Sequence, residues 1–305
     1  MTAIYQIQYG DNVIGEFDSD FIRYDCRDFP ESERREVAHM QRFFHQGIWK
    51  NSDLSHFGLV SPKFNTKTGL SGFDFKNWIK LNPGYDVYFI NPFPQLQYFH
   101  FNVWEQGEYW HPGLQELADL LFDTACLNLK VEELPRNTGS TLLYSNYWVG
   151  NEFFWRNFID FIDKLTGAID ALKQEEKDRF FVRAPHYADA TYFPFVFERM
   201  FSTFINLDKS VKCLAYPYGR DEILRRCSND FERLIVSGWA DIIDSRDAKN
   251  TNDPEVRMIF KNIEDLQRLF ICESSERLAL ENMEPHWVLS DFIKKCISIV
   301  YRVRW

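Results

Sequence analysis

Hydrophobic positions in the N-terminal part of the chain follow two different periods, and each change of period marks a new element. Residues 3–9 alternate with period two and are rich in β-forming types, which predicts a strand. Apolar residues then recur at every third or fourth position on Val37, Met40 and Phe43, which predicts a helix that begins at Pro30. The same criteria predict strands at 56–60 and 86–90 and a helix between them at 73–81.

This order of strand, helix, strand, helix, strand predicts an α/β fold with a mostly parallel sheet flanked by helices. In such sheets, ligands bind beyond the carboxyl ends of the strands. Segments 61–69 and 91–113 follow the second and third predicted strands. Both segments are predicted to be polar or aromatic loops. We therefore expect them to lie on one rim of the sheet.

The rest of the chain is mainly helical by the same criteria. Helices are predicted from Pro112, over 152–172 and around Pro194, with a late strand over 211–216. Further helices are predicted at 221–227 and 255–270, and the polar stretch 244–254 between them is either a loop or a domain boundary. We expect an α/β domain over 1–219 and a helical C-terminal appendage over 220–305.

Composition narrows the function classes. A chain of 305 residues, 17% of them aromatic, can bury a substantial core. The formal net charge of −10 and the lack of a Lys/Arg-rich block argue against nucleic acid as a partner, but they allow a local basic pocket for a nucleotide diphosphate. The six cysteines are spread singly, and neither a basic leader nor a long apolar run is present, which favours the cytoplasm.

Segment 83–113 contains the densest mixture of aromatic and ionisable residues. Trp104, Glu105, Glu108, Trp110 and His111 lie within eight positions. Aromatic faces cover the C–H surfaces of a sugar ring while carboxylates accept hydrogen bonds from its hydroxyls, so this mixture suits a saccharide. The alternative is that the rings are ordinary core and the glutamates lie on a solvated loop.

Three further pairs of polar residues lie beside apolar runs: Ser145 with Asn146, Glu198 with Arg199, and Lys63 with Lys67. The first pair needs hydrogen-bond partners, and a bound ligand is one source of them. The second pair interrupts an apolar helix and is either a structural salt bridge or a ligand-binding or catalytic pair. The two lysines either reach phosphate groups or are simply solvated.

Four segments together resemble bacterial glycosyltransferases of capsule and O-antigen clusters: 56–69, 85–92, 144–149 and 194–202. The resemblance implies a Rossmann-like, A-type glycosyltransferase fold, a nucleotide-sugar donor, and a saccharide or lipid-linked saccharide acceptor in surface polysaccharide synthesis. A-type enzymes often hold a divalent cation, Mn or Mg, through an Asp-x-Asp motif. Here Asp86-Val87-Tyr88 lacks the second aspartate and Asp18-Ser19-Asp20 comes early, so no metal ligand is assigned.

The resemblance and the residue types together suggest roles. The donor-binding candidates are Lys63, Lys67 and Arg199 for the diphosphate and Asp86 and Asn146 for the rest of the donor. The candidates for the catalytic base are Glu105, Glu108 and Glu198, with Glu105 preferred, and those for acceptor binding are Trp104, Trp110 and His111. Two alternatives stay open: a glycoside hydrolase, which also uses two carboxylates, and a non-catalytic carbohydrate-binding protein.

Residues 286–305 form a basic amphipathic stretch that ends in Trp305. Such a stretch is suited to peripheral contact with an anionic membrane, here the inner face of the cytoplasmic membrane. The alternative is a docking helix packed on its own domain or a connection to further chain.

Overall fold

The computed structural model describes residues 1–9, 17–29, 33–51, 54–185, 190–249 and 254–280, the last ten of these by backbone alone. The chain divides into two compact units. The first contains residues 1–97 and 101–226, and the second contains residues 98–100 and the chain from 227 onward. Each unit is described by itself.

Six strands of the first unit form one mixed sheet in the order β2-β1-β3-β5-β4-β6. They are β1 (Thr2–Gln8), β2 (Ile22–Asp25), β3 (His56–Val60), β4 (Val87–Phe89), β5 (Trp148–Gly150) and β6 (Cys213–Ala215). β1 is parallel to β2 and β3, β4 is parallel to β6, and β5 is antiparallel to both β3 and β4. All strands but β5 therefore run in one direction, which confirms the predicted mostly parallel sheet.

Ten helices of the first unit pack around this sheet within the described residues. They are α1 (Glu36–Gln46), α2 (Phe64–Thr68), α3 (Gly72–Leu81), α4 (Val103–Trp110), α5 (Leu114–Thr124), α6 (Glu152–Ala171), α7 (Gln174–Phe181), α8 (Tyr192–Glu198), α9 (Met200–Leu207) and α10 (Arg220–Arg225). Short 3-10 turns occur at Ile48–Asn51, Pro94–Tyr98 and Val131–Glu133. The α/β class with helices flanking the sheet is confirmed.

Alternating side chains of the strands supply two separate hydrophobic clusters. Tyr5 of β1 and Phe57 of β3 belong to the larger cluster, together with apolar residues of α1, α5, α6, α8 and α9. Ile4 of β1 and Val60 of β3 point the other way, because successive side chains of a strand face opposite sides, and they pack with Phe75 of α3. The sheet is thus covered on both faces, and a ligand can approach it at the ends of its strands.

Aromatic residues account for much of the larger cluster. The indole N–H of Trp155 on α6 donates to the Phe57 carbonyl at 2.7 Å, and the two rings stack with centroids 5.2 Å apart. Trp49 also stacks on Phe57, with centroids 4.7 Å apart. Phe154 and Phe158 of α6 are buried in the same cluster, whereas Phe153 is 46% exposed. The high aromatic content therefore reflects packing first.

Local structure departs from the predictions where an element is short. β2 and β5 were not predicted, because β2 is a largely exposed edge strand and β5 has only three residues. Segments 61–69 and 91–113 were predicted as loops, but they contain α2 and α4. Asn102 caps α4 by accepting from the backbone N–H groups of Trp104 and Glu105 at 3.0 and 2.9 Å, which explains why a helix begins there.

The second unit is helical where it is described. It contains α11 (Asp230–Asp247) and α12 (Pro254–Leu280). Tyr98 donates its hydroxyl to the Asp244 carboxylate at 3.1 Å, and Phe231 stacks on Phe270 at 5.1 Å. α11 reaches into the stretch predicted to be polar loop or boundary. Residues 286–305 lie outside the described residues, and none of the described helices has both the length and the apolar character needed to cross a bilayer.

Candidate functional site

A cavity of about 510 Å³ opens at the carboxyl ends of β1 and β3. Its lining comes from five places in the sequence: Tyr9 after β1, residues 34–39 around the start of α1, residues 61–67 after β3, residues 145–146 before β5, and residues 194–198 in α8. This is the edge at which ligands bind in mostly parallel sheets. Segment 61–69 lies at the predicted rim.

Basic side chains form one side of the cavity. Lys63 immediately precedes α2 and Lys67 lies within it, and both line the cavity together with Arg34 and Arg35. Lys67 donates from Nζ to Ser145 Oγ at 2.8 Å and lies 5.8 Å from the centre of the Phe93 ring. The lining thus contains four basic residues and two carboxylates in a chain whose net charge is −10, and Arg34 is itself paired with Asp170. A local basic pocket, which the net charge allows, is therefore present.

The backbone around the cavity is held in an uncommon conformation. Of the five non-glycine residues with positive φ in the described chain, three line this cavity: Arg35 at 47°, Ser145 at 67° and Asn146 at 53°. Such conformations are costly for residues with a side chain and tend to cluster at functional sites. The Ser145 N–H donates to Glu198 Oε1 at 2.9 Å, which holds this turn in place.

Asn146 presents an unused acceptor to the cavity. The residue is 8% exposed, and it lowers the pKa of the Glu36 carboxyl, which lines the same cavity. Its carbonyl oxygen Oδ1 has no hydrogen-bond partner among the described residues. Because buried polar atoms are nearly always paired, this oxygen is a position where a ligand hydroxyl or N–H fits.

Glu36, the first residue of α1, is the second carboxylate of the cavity besides Glu198. Burial raises the pKa of the Glu36 carboxyl to about 7. Lys67 opposes this rise in pKa, and Glu198 adds to it. The residue was missed in the sequence because the predicted helix begins at Pro30, which places Glu36 in the second turn as an ordinary polar position.

Two aromatic rings, Tyr9 and His39, line the cavity near β1. His39 of α1 lies 5.2 Å from the Tyr9 ring, centroid to centroid. Burial is the main cause that lowers the pKa of His39 to about 4, so its ring is neutral at pH 7. Within the described structure, His39 Nδ1 has no hydrogen-bond partner. This end can therefore take an uncharged ring with polar edges.

The Glu198–Arg199 pair has one member in the cavity and one in the core. Arg199 is 1% exposed and donates from Nε to the Val103 carbonyl at 2.8 Å and from Nη2 to Gln106 Oε1 at 2.5 Å. Its Nη1 lies 4.0 Å from Glu198 Oε2. Arg199 thus ties α4 to the junction of α8 and α9, and a Cβ on Gly107 would collide with its guanidinium. Glu198 lines the cavity, but Arg199 is absent from that lining.

Asp86, predicted to hold the donor, lies at the opposite edge of the sheet. It precedes β4, whose direction is that of β1 and β3, so it marks the amino end of the strand. Its two carboxylate oxygens accept from Asn151 Nδ2 and from the Lys212 N–H, both at 2.8 Å. Asp86 therefore joins β6 to the start of α6 and is not part of the cavity lining.

The two glutamates of segment 83–113 also lie outside the cavity lining. Glu105 stands in the first turn of α4. Glu108 accepts from the N–H groups of Gly113 and Gln115 at 2.8 and 2.9 Å, so its carboxylate closes the turn that leads into α5. Their catalytic role stays a prediction that this geometry does not favour.

The predicted acceptor-binding residues are dispersed. Trp104 is 1% exposed and donates its indole N–H to Thr203 Oγ1 at 3.0 Å, which makes it a core side chain without a surface for an acceptor. Trp110 is 46% exposed and outside the cavity lining. His111 is buried and stacks at 3.9 Å on Phe195, which lines the cavity. Of these three residues, only His111 thus adjoins the site.

The resemblance implies a divalent cation, which needs a group of side chains as its ligands. Across the described ranges, no group of three or more His, Cys, Asp or Glu side chains could hold a metal ion. Asp18, of the early Asp-x-Asp, accepts from Gly72 N–H at 2.7 Å and Asn65 Nδ2 at 2.6 Å, so it fixes α3 to α2. No metal ligand is therefore assigned among the described residues, and the cationic groups in the cavity lining are Arg34, Arg35, Lys63 and Lys67.

No family model, curated protein or solved structure matches the chain. The chemistry of the cavity is therefore what bears on function.

Proposed function

We propose that this chain is a glycosyltransferase that moves a sugar from a nucleotide-sugar donor to a saccharide or lipid-linked saccharide acceptor, in the synthesis of a surface polysaccharide. The observation that carries the proposal is the cavity at the carboxyl ends of β1 and β3. It combines a basic side, two carboxylates and the unused Asn146 oxygen within about 510 Å³. The mostly parallel sheet supports a Rossmann-like, A-type arrangement.

Lys63 and Lys67 are placed to face the diphosphate of the donor. Ammonium groups favour phosphate oxygens, and both lysines come from the short segment that follows β3. The Lys67 ammonium is already oriented by Ser145, so little side-chain freedom is lost when an anion binds. Arg35 adds positive charge to the same lining, whereas Arg34 is paired with Asp170.

Asn146 and the uncharged rings of Tyr9 and His39 are the groups that would bind the sugar and the nucleobase of the donor. The Asn146 oxygen accepts a hydroxyl or N–H of the sugar, and the strained turn fixes its direction before the ligand arrives. The rings of Tyr9 and His39 suit a nucleobase, because their faces are apolar and neither ring carries a charge.

The reaction exchanges one C–O bond for another. An acceptor hydroxyl attacks the anomeric carbon of the donor sugar, and the bond from that carbon to the diphosphate oxygen breaks. The diphosphate leaves with the electron pair beside the lysines, and the hydroxyl proton passes to a carboxylate of the cavity.

A glycoside hydrolase is the second candidate, because Glu36 and Glu198 are two carboxylates in one cavity. The basic side weighs against it, since a neutral glycan gains nothing from lysines and arginines. Hydrolysis of an oligosaccharide without any nucleotide would favour this alternative.

The decisive experiment is a thermal-shift screen against UDP-, GDP-, dTDP- and CMP-linked sugars, with and without manganese. A ligand that binds only the folded protein raises its melting temperature in proportion to the logarithm of its concentration over Kd. We expect at least one donor to stabilise the protein. If no nucleotide sugar or free nucleotide does so at millimolar concentration, the proposal fails.

The matched variants are a Lys63→Ala/Lys67→Ala double substitution and Lys130→Ala, an exposed lysine paired with Asp123. A hydrogen bond to a charged group is worth about 1.5–3 kcal/mol, so the double variant should bind the donor at least about 100-fold more weakly. Lys130→Ala should bind it as wild type does. Equal affinity in the double variant would place the diphosphate elsewhere.

A further inference from the structure

We infer that Glu36 is the catalytic residue that accepts the proton from the attacking hydroxyl. This inference rests on the proposed transferase function and deepens it. Glu36 does not belong to the aromatic segment in which the base is expected from sequence alone.

The first support is position. Glu36 begins α1 and lines the same cavity as Lys63 and Lys67, so its carboxylate and the cations that face the diphosphate share one space. Attack on the anomeric carbon requires the base and the leaving-group cations to lie around the same sugar. Glu36 satisfies this condition, whereas Glu105 lies outside the lining.

The second support is the set of groups around the carboxylate. Glu36 shares the cavity lining with Asn146, whose backbone is held at a φ of 53° and which lowers the pKa of the Glu36 carboxyl. Asn146 Oδ1 has no hydrogen-bond partner among the described residues. A strained turn and an unpaired polar atom in the same cavity as the carboxylate are typical of a functional site.

The other carboxylate of the cavity is already committed. Glu198 Oε1 accepts from the Ser145 N–H, and its Oε2 lies 4.0 Å from the buried Arg199 guanidinium. Glu198 therefore supports the turn that carries Asn146. Its role in the reaction is to position this turn and to place a negative charge near Glu36.

The surroundings of Glu36 also suit proton transfer at neutral pH. The cations that line its cavity are Arg34, Arg35, Lys63 and Lys67, and the remaining titratable groups there are Tyr9, His39 and Glu198. Burial, against the opposing effect of Lys67, brings the Glu36 pKa to about 7. A base with its pKa near the working pH combines a sufficient ionised fraction with adequate proton affinity.

The test uses water as the acceptor, because the natural acceptor is unidentified. Water attacks the anomeric carbon, Glu36 takes a proton from the attacking water, and the nucleoside diphosphate leaves with the electron pair of the broken C–O bond. The probe is whichever UDP-, GDP- or dTDP-sugar stabilises the wild-type protein, and the measured quantity is the rate of nucleoside diphosphate release.

Glu36→Gln should lower this rate by about 10²- to 10⁴-fold, the usual contribution of a general base, while the donor still stabilises the variant. The control is Glu116→Gln, which removes an exposed carboxylate paired with Arg179 and should leave the rate unchanged. A Glu36→Gln protein that binds the donor and releases nucleotide at the wild-type rate overturns the assignment.

A second pair of variants separates catalysis from a structural role. At saturating donor, the rate should rise with pH as Glu36 ionises. Glu198→Gln removes a charge that raises the Glu36 pKa, so the midpoint of this rise should move to lower pH. Asn146→Ala removes a side chain that lowers the Glu36 pKa, so the midpoint should move to higher pH. Midpoints that stay in place in both variants would contradict the inference.

Failure of the inference can be told apart from failure of the proposed function. If wild type releases nucleotide from a bound donor and Glu36→Gln does so equally, the transferase stands and the assignment of Glu36 falls. If wild type neither binds nor cleaves any nucleoside diphosphate sugar, both fall together.

Discussion

Segment 83–113 and the cavity at the ends of β1 and β3 contain similar kinds of side chain but use them in opposite ways. In the segment, aromatic rings and carboxylates are neighbours in sequence, yet Trp104 is core and Glu108 closes a backbone turn. In the cavity, Glu36, Lys67 and Asn146 are far apart in sequence and share one space. Density of functional groups along a chain is therefore a weaker guide than their position relative to the sheet.

Segment 83–113 and the cavity differ in the hydrogen-bond partners of their polar groups. The candidates Trp104 and Glu108 of the segment are satisfied by the protein itself, as in the bonds from Gly113 and Gln115 to Glu108. In the cavity, the oxygen of Asn146 has none within the described residues. A buried polar group that the fold leaves unpaired indicates a ligand more directly than an exposed aromatic ring does.

The largest expected effect is on stability, and it tests whether Trp104 of segment 83–113 is a core residue. Trp104→Ala should destabilise the protein by about 3–5 kcal/mol, because it empties a fully buried site. Trp110→Ala is the matched control, since Trp110 is 46% exposed and its loss should change stability by less than about 0.5 kcal/mol. Urea unfolding measures both. A loss below about 1 kcal/mol for Trp104→Ala would show that the segment is not core.

The next effect concerns the pH dependence of stability. Glu36 has a folded pKa of about 7 against an ordinary value of 4.5, so between these pH values the folded protein keeps a proton that the unfolded chain has lost. Wild-type stability from this group is therefore complete below about pH 4.5 and lost as pH rises through about 7.

The side chain introduced by Glu36→Gln does not titrate, so this variant should not lose stability in this way as pH rises. Relative to wild type, the variant should gain on the order of 2 kcal/mol in unfolding free energy between pH 5 and pH 8. Urea unfolding at the two pH values measures the change, with Glu116→Gln as the exposed control. A difference from wild type that is independent of pH would show that Glu36 is not buried beside these charges.

The smallest expected effect tests the contrast between the glutamates of segment 83–113 and the glutamates of the cavity. Glu105→Gln should leave donor binding and nucleotide release within about twofold of wild type, because Glu105 lies outside the cavity lining. The measurement is the nucleotide-release assay at saturating donor. A large loss of rate in Glu105→Gln would restore the aromatic segment as the catalytic region.

Much of the first unit's fold follows from the sequence because its signals are local. β1 shows period two, and α1 and α6 show helical periods that the core clusters bear out. β5 could not be predicted, because an antiparallel strand of three residues has no periodic signal and depends on β3 and β4 beside it. α4 was hidden by Gly107, which is present for the close approach of Arg199.

The site could be predicted only in part. Lys63, Lys67, Asn146 and Glu198 were candidates because each departs from its local pattern, and the structure brings all four to one cavity. Glu36 has no local signal in the sequence, because it falls in the second turn of the helix predicted from Pro30, and its altered pKa comes from burial and from residues far along the chain. Asp86 was misleading because a carboxylate before a strand and one after it look alike in sequence, although they lie at opposite edges.

The most direct test of the central claim is a crystal structure of the protein with the nucleoside diphosphate or nucleotide sugar that stabilises it. We predict that the diphosphate lies within hydrogen-bond distance of Lys63 Nζ and Lys67 Nζ and that a ligand atom donates to Asn146 Oδ1. A nucleotide bound against Trp110, or anywhere outside the cavity at the ends of β1 and β3, would contradict the account.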